Sequence, residues 1–186
     1  MKLKSLSAVG IFVLFFSLCQ AMAAEESKYI IGPGDVLEIS VWRDESLSRT
    51  VVVPPDGIIS FTLIGDIDTQ GMTVTDIRNI VTKKIKEYVP DAFVTVILTE
   101  INSLRAYVIG KVTKPGMYPI LLDTNVMQIL SMAGGLNPFA SEANIQILRR
   151  VNNVTVKLPF NYKEVVKGEN LDQNILLQRG DVVVVP

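Results

Sequence analysis

Tyr29-Ile30-Ile31-Gly32-Pro33-Gly34-Asp35-Val36-Leu37-Glu38-Ile39-Ser40-Val41-Trp42 is the stretch whose reading decides the fold. Pro33 presets φ for the first central position of a turn, and Gly34 supplies the positive φ that a type II turn needs at the second. Asp35 is placed to accept from the turn backbone as the chain enters a strand. From there the side chains alternate. Leu37, Ile39 and Val41 take one face, and Glu38, Ser40 and Trp42 take the other. By itself this is a hairpin entry; its weight comes from matching pieces on either side.

Upstream lies a secretion leader. Lys2 and Lys4 form a positive n-region, Leu6 to Leu18 an apolar h-region, and Ala21-Met22-Ala23 a small-residue cleavage site. The apolar run is shorter than the roughly 20 residues of a spanning helix. The reading is a signal peptide over residues 1–23, with the mature chain starting at Ala24 or Glu25. Cys19 is the only cysteine and lies upstream of the cut, behind Leu18 rather than a small residue. An unlipidated mature chain without thiols or disulfides is expected, despite an oxidising destination.

Composition removes several function classes. Eighteen Lys and Arg stand against 19 Asp and Glu, for a formal net charge of −1, and loss of Lys2 and Lys4 makes the mature chain more acidic. No basic surplus marks a nucleic-acid binder. The sequence has no histidine. Zinc sites of the usual nitrogen and sulfur type, Ser-His-Asp triads and Cys-His pairs are therefore ruled out for the mature chain. A pair of carboxylates could serve a glycosidase, with Asp35, Glu38, Asp56 and Asp66 as candidates. Most of these sit at turns or strand surfaces, where acids are common, so no residue is assigned catalysis and no cofactor or metal is expected.

Downstream of the opening strand, Arg49 to Val53 and Ile58 to Ile64 read as strands around Pro54-Pro55-Asp56-Gly57. Asp-Gly between two apolar runs predicts a hairpin with a type I′ turn. Residues 65–72 read as polar and turn-rich. Thr73 caps a helix, with Asp76 completing a capping-box variant. The helix runs to about Val89 before Pro90, with Ile77, Ile80, Val81, Ile85 and Tyr88 on one face. Phe93 to Thr99 alternates as a strand. A second unit begins near Asn102: a strand from Leu104 to Val112, a turn at Thr113-Lys114-Pro115-Gly116, and a returning strand from Met117 to Leu121. Asp123 or Thr124 then caps a short helix with Val126, Ile129, Leu130 and Ala133 on one face, closed by Gly134 and Gly135. Asn144 to Arg150 and Val154 to Leu158 are strands around Asn152-Asn153. Asn161 to Lys167 is a brief helix or turn. Val182 to Val185 is a final buried strand after Arg179-Gly180-Asp181.

The expected fold class is α+β, in two small mixed domains that pack together because each core alone is marginal. Gly110-Lys111 lacks both the glycine spacing and the following Ser or Thr of a phosphate loop, and reads as a strand end. Gly134-Gly135 sits at a helix C-terminus, the wrong pole for an anion. Trp42 is read as a core or interface residue, with stacking on a sugar ring as the alternative.

Taken together, these pieces resemble the outer-membrane polysaccharide export proteins, the Wza-like group. The opening Tyr29-x-Ile31-Gly32-Pro33-Gly34-Asp35-Val36-Leu37 resembles the start of the export domain. It is followed by Pro54-Pro55-Asp56-Gly57-Ile58, Gly65-Asp66-Ile67, Gly71-Met72-Thr73 and the Pro90 to Val96 strand. The second half resembles a soluble-ligand-binding β-grasp (SLBB) module through Val108-Ile109-Gly110-x-Val112-x-x-Pro115-Gly116-x-Tyr118, Ala133-Gly134-Gly135, Arg149-Arg150 and Gly180-Asp181-Val182-Val183. The resemblance implies an export domain over 28–101 and an SLBB domain over 102–186. It implies a non-enzymatic periplasmic protein that handles a polysaccharide and assembles as a homo-oligomeric ring near the outer membrane. That ring would stand between an inner-membrane copolymerase and a separate outer-membrane β-barrel protein. Longer members add a second β-grasp module and a C-terminal pore helix. Here the sequence stops at Pro186 after a strand, so the family's own outer-membrane pore is not expected. The alternatives are a soluble periplasmic glycan- or ligand-binding module and a carboxylate-dependent hydrolase.

Overall fold

The computed structural model describes residues 28–186 and shows two hydrophobic cores joined through a short linker. The expected signal peptide, its expected cleavage site and Cys19 lie outside the described residues.

The first core is built on a three-stranded antiparallel sheet. Its central strand β1 (Val36–Val41) lies between β2 (Asp44–Val52) and β5 (Val94–Glu100). Leu37, Ile39 and Val41 are all buried, as period-two alternation requires. Helix α1 (Val74–Ile85) covers this face with Ile77, Val81 and Ile85. Thr73 caps it: the Asp76 N–H donates to the Thr73 hydroxyl, and the Asp76 carboxylate accepts from the Thr73 N–H at 2.9 Å. The helix ends one turn before the expected stop. Lys86 is its C-cap, and Tyr88 is exposed rather than on the apolar face.

Two expectations for this unit are corrected. Asp56-Gly57 does not close a hairpin, because β2 pairs with β1, while β3 (Ile58–Phe61) pairs with β4 (Gly65–Asp68). Only Gly57 has positive φ, at 75°, and Asp56 does not, so a type I′ turn is absent. Gly57 N–H instead donates to Pro54 O, and Gly57 O accepts from both the N–H and hydroxyl of Thr69. The second correction is β4 itself, a strand in a segment read as polar and turn-rich. The hairpins here turn at Arg43 and Leu63, both non-glycine residues with φ above 60°, which no Gly or Asn marked in advance.

The second unit has a five-stranded mixed sheet in the order β7-β6-β10-β8-β9. It comprises β6 (Arg105–Gly110), β7 (Gly116–Pro119), β8 (Ile145–Val151), β9 (Val154–Phe160) and β10 (Val182–Val185). The first and last of these in sequence, β6 and β10, run parallel at the centre. Helix α2 (Val126–Met132) packs across the sheet through Val126, Ile129 and Leu130, giving the β-grasp arrangement. Its N-cap is Asn125, whose side chain accepts from Gln128 N–H, rather than Asp123 or Thr124. Thr124 is buried and holds the preceding turn by accepting from Leu121 N–H. At the other end Gly135 N–H donates to Leu130 O and Gly134 N–H to Ser131 O. Both glycines have φ near 80°, so the helix closes in a Schellman motif. Helix α3 (Tyr162–Val166) buries Val165 before the chain enters β10.

Candidate functional site

The junction between the units is built from two copies of one small device. In Gly32-Pro33-Gly34-Asp35, the Asp35 N–H donates to Gly32 O at 3.1 Å, and the Gly32 N–H donates to Asp35 Oδ2 at 2.8 Å. In Gln178-Arg179-Gly180-Asp181, the Asp181 N–H donates to Gln178 O at 3.1 Å, and the Gln178 N–H donates to Asp181 Oδ2 at 2.8 Å. In each turn the glycine before the aspartate has positive φ, 91° for Gly34 and 83° for Gly180. Each turn also launches the central strand of its sheet, β1 and β10 respectively.

Asp35 is fully buried and works across the junction. Its Oδ1 accepts from the N–H groups of Asn102 (2.9 Å) and Ser103 (2.8 Å). Its Oδ2 accepts from Gly32 N–H, the Ser103 hydroxyl (3.0 Å) and the Tyr29 hydroxyl (2.5 Å). The carboxylate thus pins the linker onto the first turn. Burial alone would raise its pKa. The bonds from Tyr29, Gly32 and Ser103 outweigh that and hold it below the ordinary 3.8. The reverse applies to Tyr29, where burial and then the bond to Asp35 push the phenol up from 10.0 to about 12.

The second turn reaches back to the first. Arg179 donates from its guanidinium to Ile30 O at 3.0 Å, and it lies so close over Gly32 that a methyl group there would overlap it. Gly32 has no positive φ, and a Cβ there would meet the movable end of the Arg179 side chain rather than backbone. Asp181 is buried as well, forked by Arg149 through Nε at 3.0 Å and through the terminal nitrogen at 2.7 Å. Arg149 also donates to Leu176 O at 2.8 Å. Tyr29 packs on the second core while Ile31 belongs to the first, so the strap before the first turn spans both.

Of the residues marked in the sequence, Gly32, Pro33, Gly34, Asp35, Gly180 and Asp181 meet at this junction. Gly110 lies at the far end of the β-grasp sheet, with φ of 95° and the Val185 carbonyl where its Cβ would stand. The Pro115-Gly116 turn and Gly134-Gly135 gather there too, tied by Thr113 N–H to Gly135 O at 3.0 Å and Lys114 N–H to Ala133 O at 2.8 Å. Gly116 has no backbone constraint of its own and begins β7. Asp56 O accepts from the Gln70 side-chain amide, and Gly57 lines a pocket at the edge of the junction with Gly32, Pro33 and Arg179. Trp42 is 69% exposed beside exposed Phe93, whose carbonyl accepts from Trp42 N–H, so it is not a core residue. Sequence reasoning gave no role to Ser103, Asn102 or Arg179. Their roles depend on partners 67 to 149 residues away, which no local pattern encodes.

Chemically, every oxygen of Asp35 is saturated with donors. Such a carboxylate positions backbone; it is not free to take a proton from a substrate. Among the described residues no group of His, Cys, Asp and Glu could hold a metal ion, and no helix is long and apolar enough to cross a membrane.

Comparison with known proteins agrees with this two-part architecture. Residues 23–99 match the polysaccharide biosynthesis/export protein family, and residues 105–157 match the SLBB domain. The chain is 28% identical over 127 residues to the polysialic acid transport protein KpsD of Escherichia coli, covering 68% of this chain and 23% of that protein. It is 29% identical over 188 residues to the EPS I polysaccharide export outer membrane protein EpsA of Ralstonia nicotianae, covering 87% of this chain and 48% of that one. It is 27% identical over 169 residues to the capsule polysaccharide export outer membrane protein CtrA of Neisseria meningitidis, covering 81% and 42%. The chain thus spans about half or less of the length of these relatives. With the two domain matches in order and a β-grasp sheet under the second, this chain carries a polysaccharide biosynthesis/export domain followed by an SLBB domain, and it is similar to the polysaccharide export proteins.

Proposed function

We propose that this chain is a non-enzymatic periplasmic component of a capsular polysaccharide or exopolysaccharide export machine. The observation that carries the reading is the tandem of export and SLBB domains, together with similarity over most of the chain to relatives named for polysaccharide export. The junction supports it. The Asp35 turn holds the linker between the two domains and its carboxylate is occupied in doing so, while the Asp181 carboxylate is occupied by Arg149 and Gln178 within the second domain.

In this reading copies assemble as a ring-like conduit between an inner-membrane copolymerase and a separate outer-membrane barrel protein. The polymer moves passively over a polar lumen, whose many weak hydrogen bonds orient it without trapping it, since each is worth little net of water. Trp42 and Phe93, adjacent and exposed, offer the apolar anchor expected where such a ring docks on a partner.

The test is deletion of the gene. Polymer should accumulate on the periplasmic side while the synthetic enzymes stay active, and the chain without its signal sequence should not complement. Normal surface polymer in the deletion strain would refute the reading. Purified protein should also leave liposomes impermeable to oligosaccharides; discrete pores formed by the protein alone would remove the need for a partner barrel.

A further inference from the structure

Each of the two larger sheets has one face that its helix leaves open. In the three-stranded sheet α1 covers the face of Leu37, Ile39 and Val41, so Glu38 and the residues opposite it look outward. In the five-stranded sheet α2 covers the face of Ala106, Val108 and Val183, so Tyr107, Ile109 and Val184 look outward. Both outward faces carry exposed apolar side chains, Val52 and Ile97 on the first and Tyr107, Ile109 and Met117 on the second. One copy therefore does not pair the two faces internally.

The two faces differ in sign. The strands of the five-stranded sheet contain no Asp or Glu, and their cations are Arg105, Arg149, Arg150 and Lys157. Arg149 is turned inward onto Asp181, which leaves Arg105, Arg150 and Lys157 on the outward face. The strands of the three-stranded sheet hold Glu38, Asp44, Glu45 and Glu100 against a single cation, Arg49. Arg49 stands opposite buried Ile39 and lies over the Phe61 ring, so it belongs to the covered side. Asp44 and Glu45 lie at the hairpin tip beside Arg43, beyond Trp42 and Phe93, and Glu38 and Glu100 remain on the body of the outward face.

The spacing of the charges matches as well. Glu38 is opposite Ile97 and Glu100 is opposite Val36, so the two carboxylates sit one strand and one side-chain row apart. Arg150 is opposite Thr155 and Lys157 is opposite Leu148, so these two cations have the same offset. With strands about 4.8 Å apart and same-face residues about 6.7 Å apart, each pair is separated by about 8 Å. None of the four forms an ion pair among the described residues, where the ion pairs are Arg149 with Asp181 and Lys163 with Glu142. Glu142 precedes β8, at the end of that strand away from Arg150. Glu100 accepts from the Asn102 amide at 2.9 Å, and Arg105 donates to the same amide at 3.1 Å, which occupies the third cation.

We propose that the acidic outward face of the three-stranded sheet packs on the basic outward face of the five-stranded sheet of a second copy, with Glu38 and Glu100 against Arg150 and Lys157. The apolar side chains of the two faces interdigitate around these pairs, at the usual sheet-to-sheet spacing of about 10 Å. Opposed charge fixes the register and excludes the pairing of like faces. The contact is heterologous, so a copy whose acidic face is covered still offers its basic face to the next. It closes into a ring if the rotation between copies allows, and for that closure alone it rests on the ring reading above.

The test uses purified protein and two charge-reversed variants, Glu38→Lys/Glu100→Lys and Arg150→Glu/Lys157→Glu, all at exposed positions. Circular dichroism and thermal melts should show all three proteins folded alike. In analytical ultracentrifugation the wild type should self-associate, less strongly as salt is raised. Each variant alone should associate at least about 100-fold more weakly, since it sets like charges against each other. An equimolar mixture should recover wild-type association, because every contact between unlike copies then joins opposite charges. A single chain with all four substitutions should recover it too, and reports the same pairing if one variant folds poorly. Failure of both rescues refutes the contact. Variants that assemble like the wild type also refute it, while a ring through another surface stands. Rescue with a wild type that stops at a dimer keeps the contact and removes the ring. A wild type that is monomeric at every concentration refutes both.

Discussion

Replacing Asp35 with Asn tests the junction without changing its volume. An asparagine amide has one oxygen, whereas Asp35 uses both of its oxygens as acceptors. If the amide oxygen takes the place of Oδ1, the bonds from Asn102 and Ser103 N–H survive as neutral ones. The amide nitrogen then faces Tyr29, the Ser103 hydroxyl and Gly32 N–H. The two hydroxyls can rotate to accept, but the Gly32 N–H cannot, and it becomes a buried donor without a partner. The flipped amide is worse, because it orphans two backbone donors. An unsatisfied buried group costs about 1–3 kcal/mol, and bonds to a charged acceptor are worth about 1.5–3 kcal/mol against about 1 for neutral ones. The expected loss is therefore about 3 kcal/mol, a large part of a typical domain's stability. Urea unfolding followed by circular dichroism measures it.

The same variant carries a pH prediction. Because the folded pKa of Asp35 lies below the unfolded 3.8, the unfolded state binds more protons in the interval between them. The stabilisation is complete above that unfolded value and is lost as pH falls through the folded one. Asp35→Asn should therefore lose less stability than the wild type on acidification below pH 3.8. A urea midpoint within error of the wild type at neutral pH would refute the account of Asp35 as the pin of the linker.

Other substitutions probe separate points. Gly110→Ala should destabilise the β-grasp domain by at least about 3 kcal/mol, because it combines a positive φ with overlap on the Val185 carbonyl; a loss under 1 kcal/mol in urea melts would contradict that packing. In an alkaline absorbance titration one tyrosine should ionise late, near pH 12, and Tyr29→Phe should remove that phase alone. Asn153→Gly, at φ of 64° in the β8–β9 hairpin, should be neutral or stabilise by up to about 1 kcal/mol, whereas Asn153→Val should destabilise by a similar amount or more. Thr73→Ala should lower stability by about 1 kcal/mol through loss of the α1 cap, read from thermal melts.

The features legible in the chain were those whose partners lie within a few residues. The turn at Gly32-Pro33-Gly34-Asp35 closes between residues three apart, the Thr73 cap reaches Asp76, and the face of α2 repeats every three or four positions. Proline geometry, glycine freedom and hydrogen bonds of short reach decide these locally. Period-two alternation likewise told which residues of β1 are buried, but alternation specifies faces and is silent about neighbours. That β1 lies beside β5 rather than only its hairpin partner, and that β10 runs parallel to β6, came from closing two cores around α1 and α2. The Asp56-Gly57 turn shows the conflict directly. Its local pattern favours a hairpin, yet Val53 N–H is taken by Asp35 O and Gly57 O by Thr69, so the flanking segments pair elsewhere. Asp35 itself was visible as a turn residue. Its role as the joint between domains was not, because Asn102 and Ser103 come to it only when burial of both cores brings the linker against the turn, and a buried carboxylate must then find donors wherever the fold has placed them.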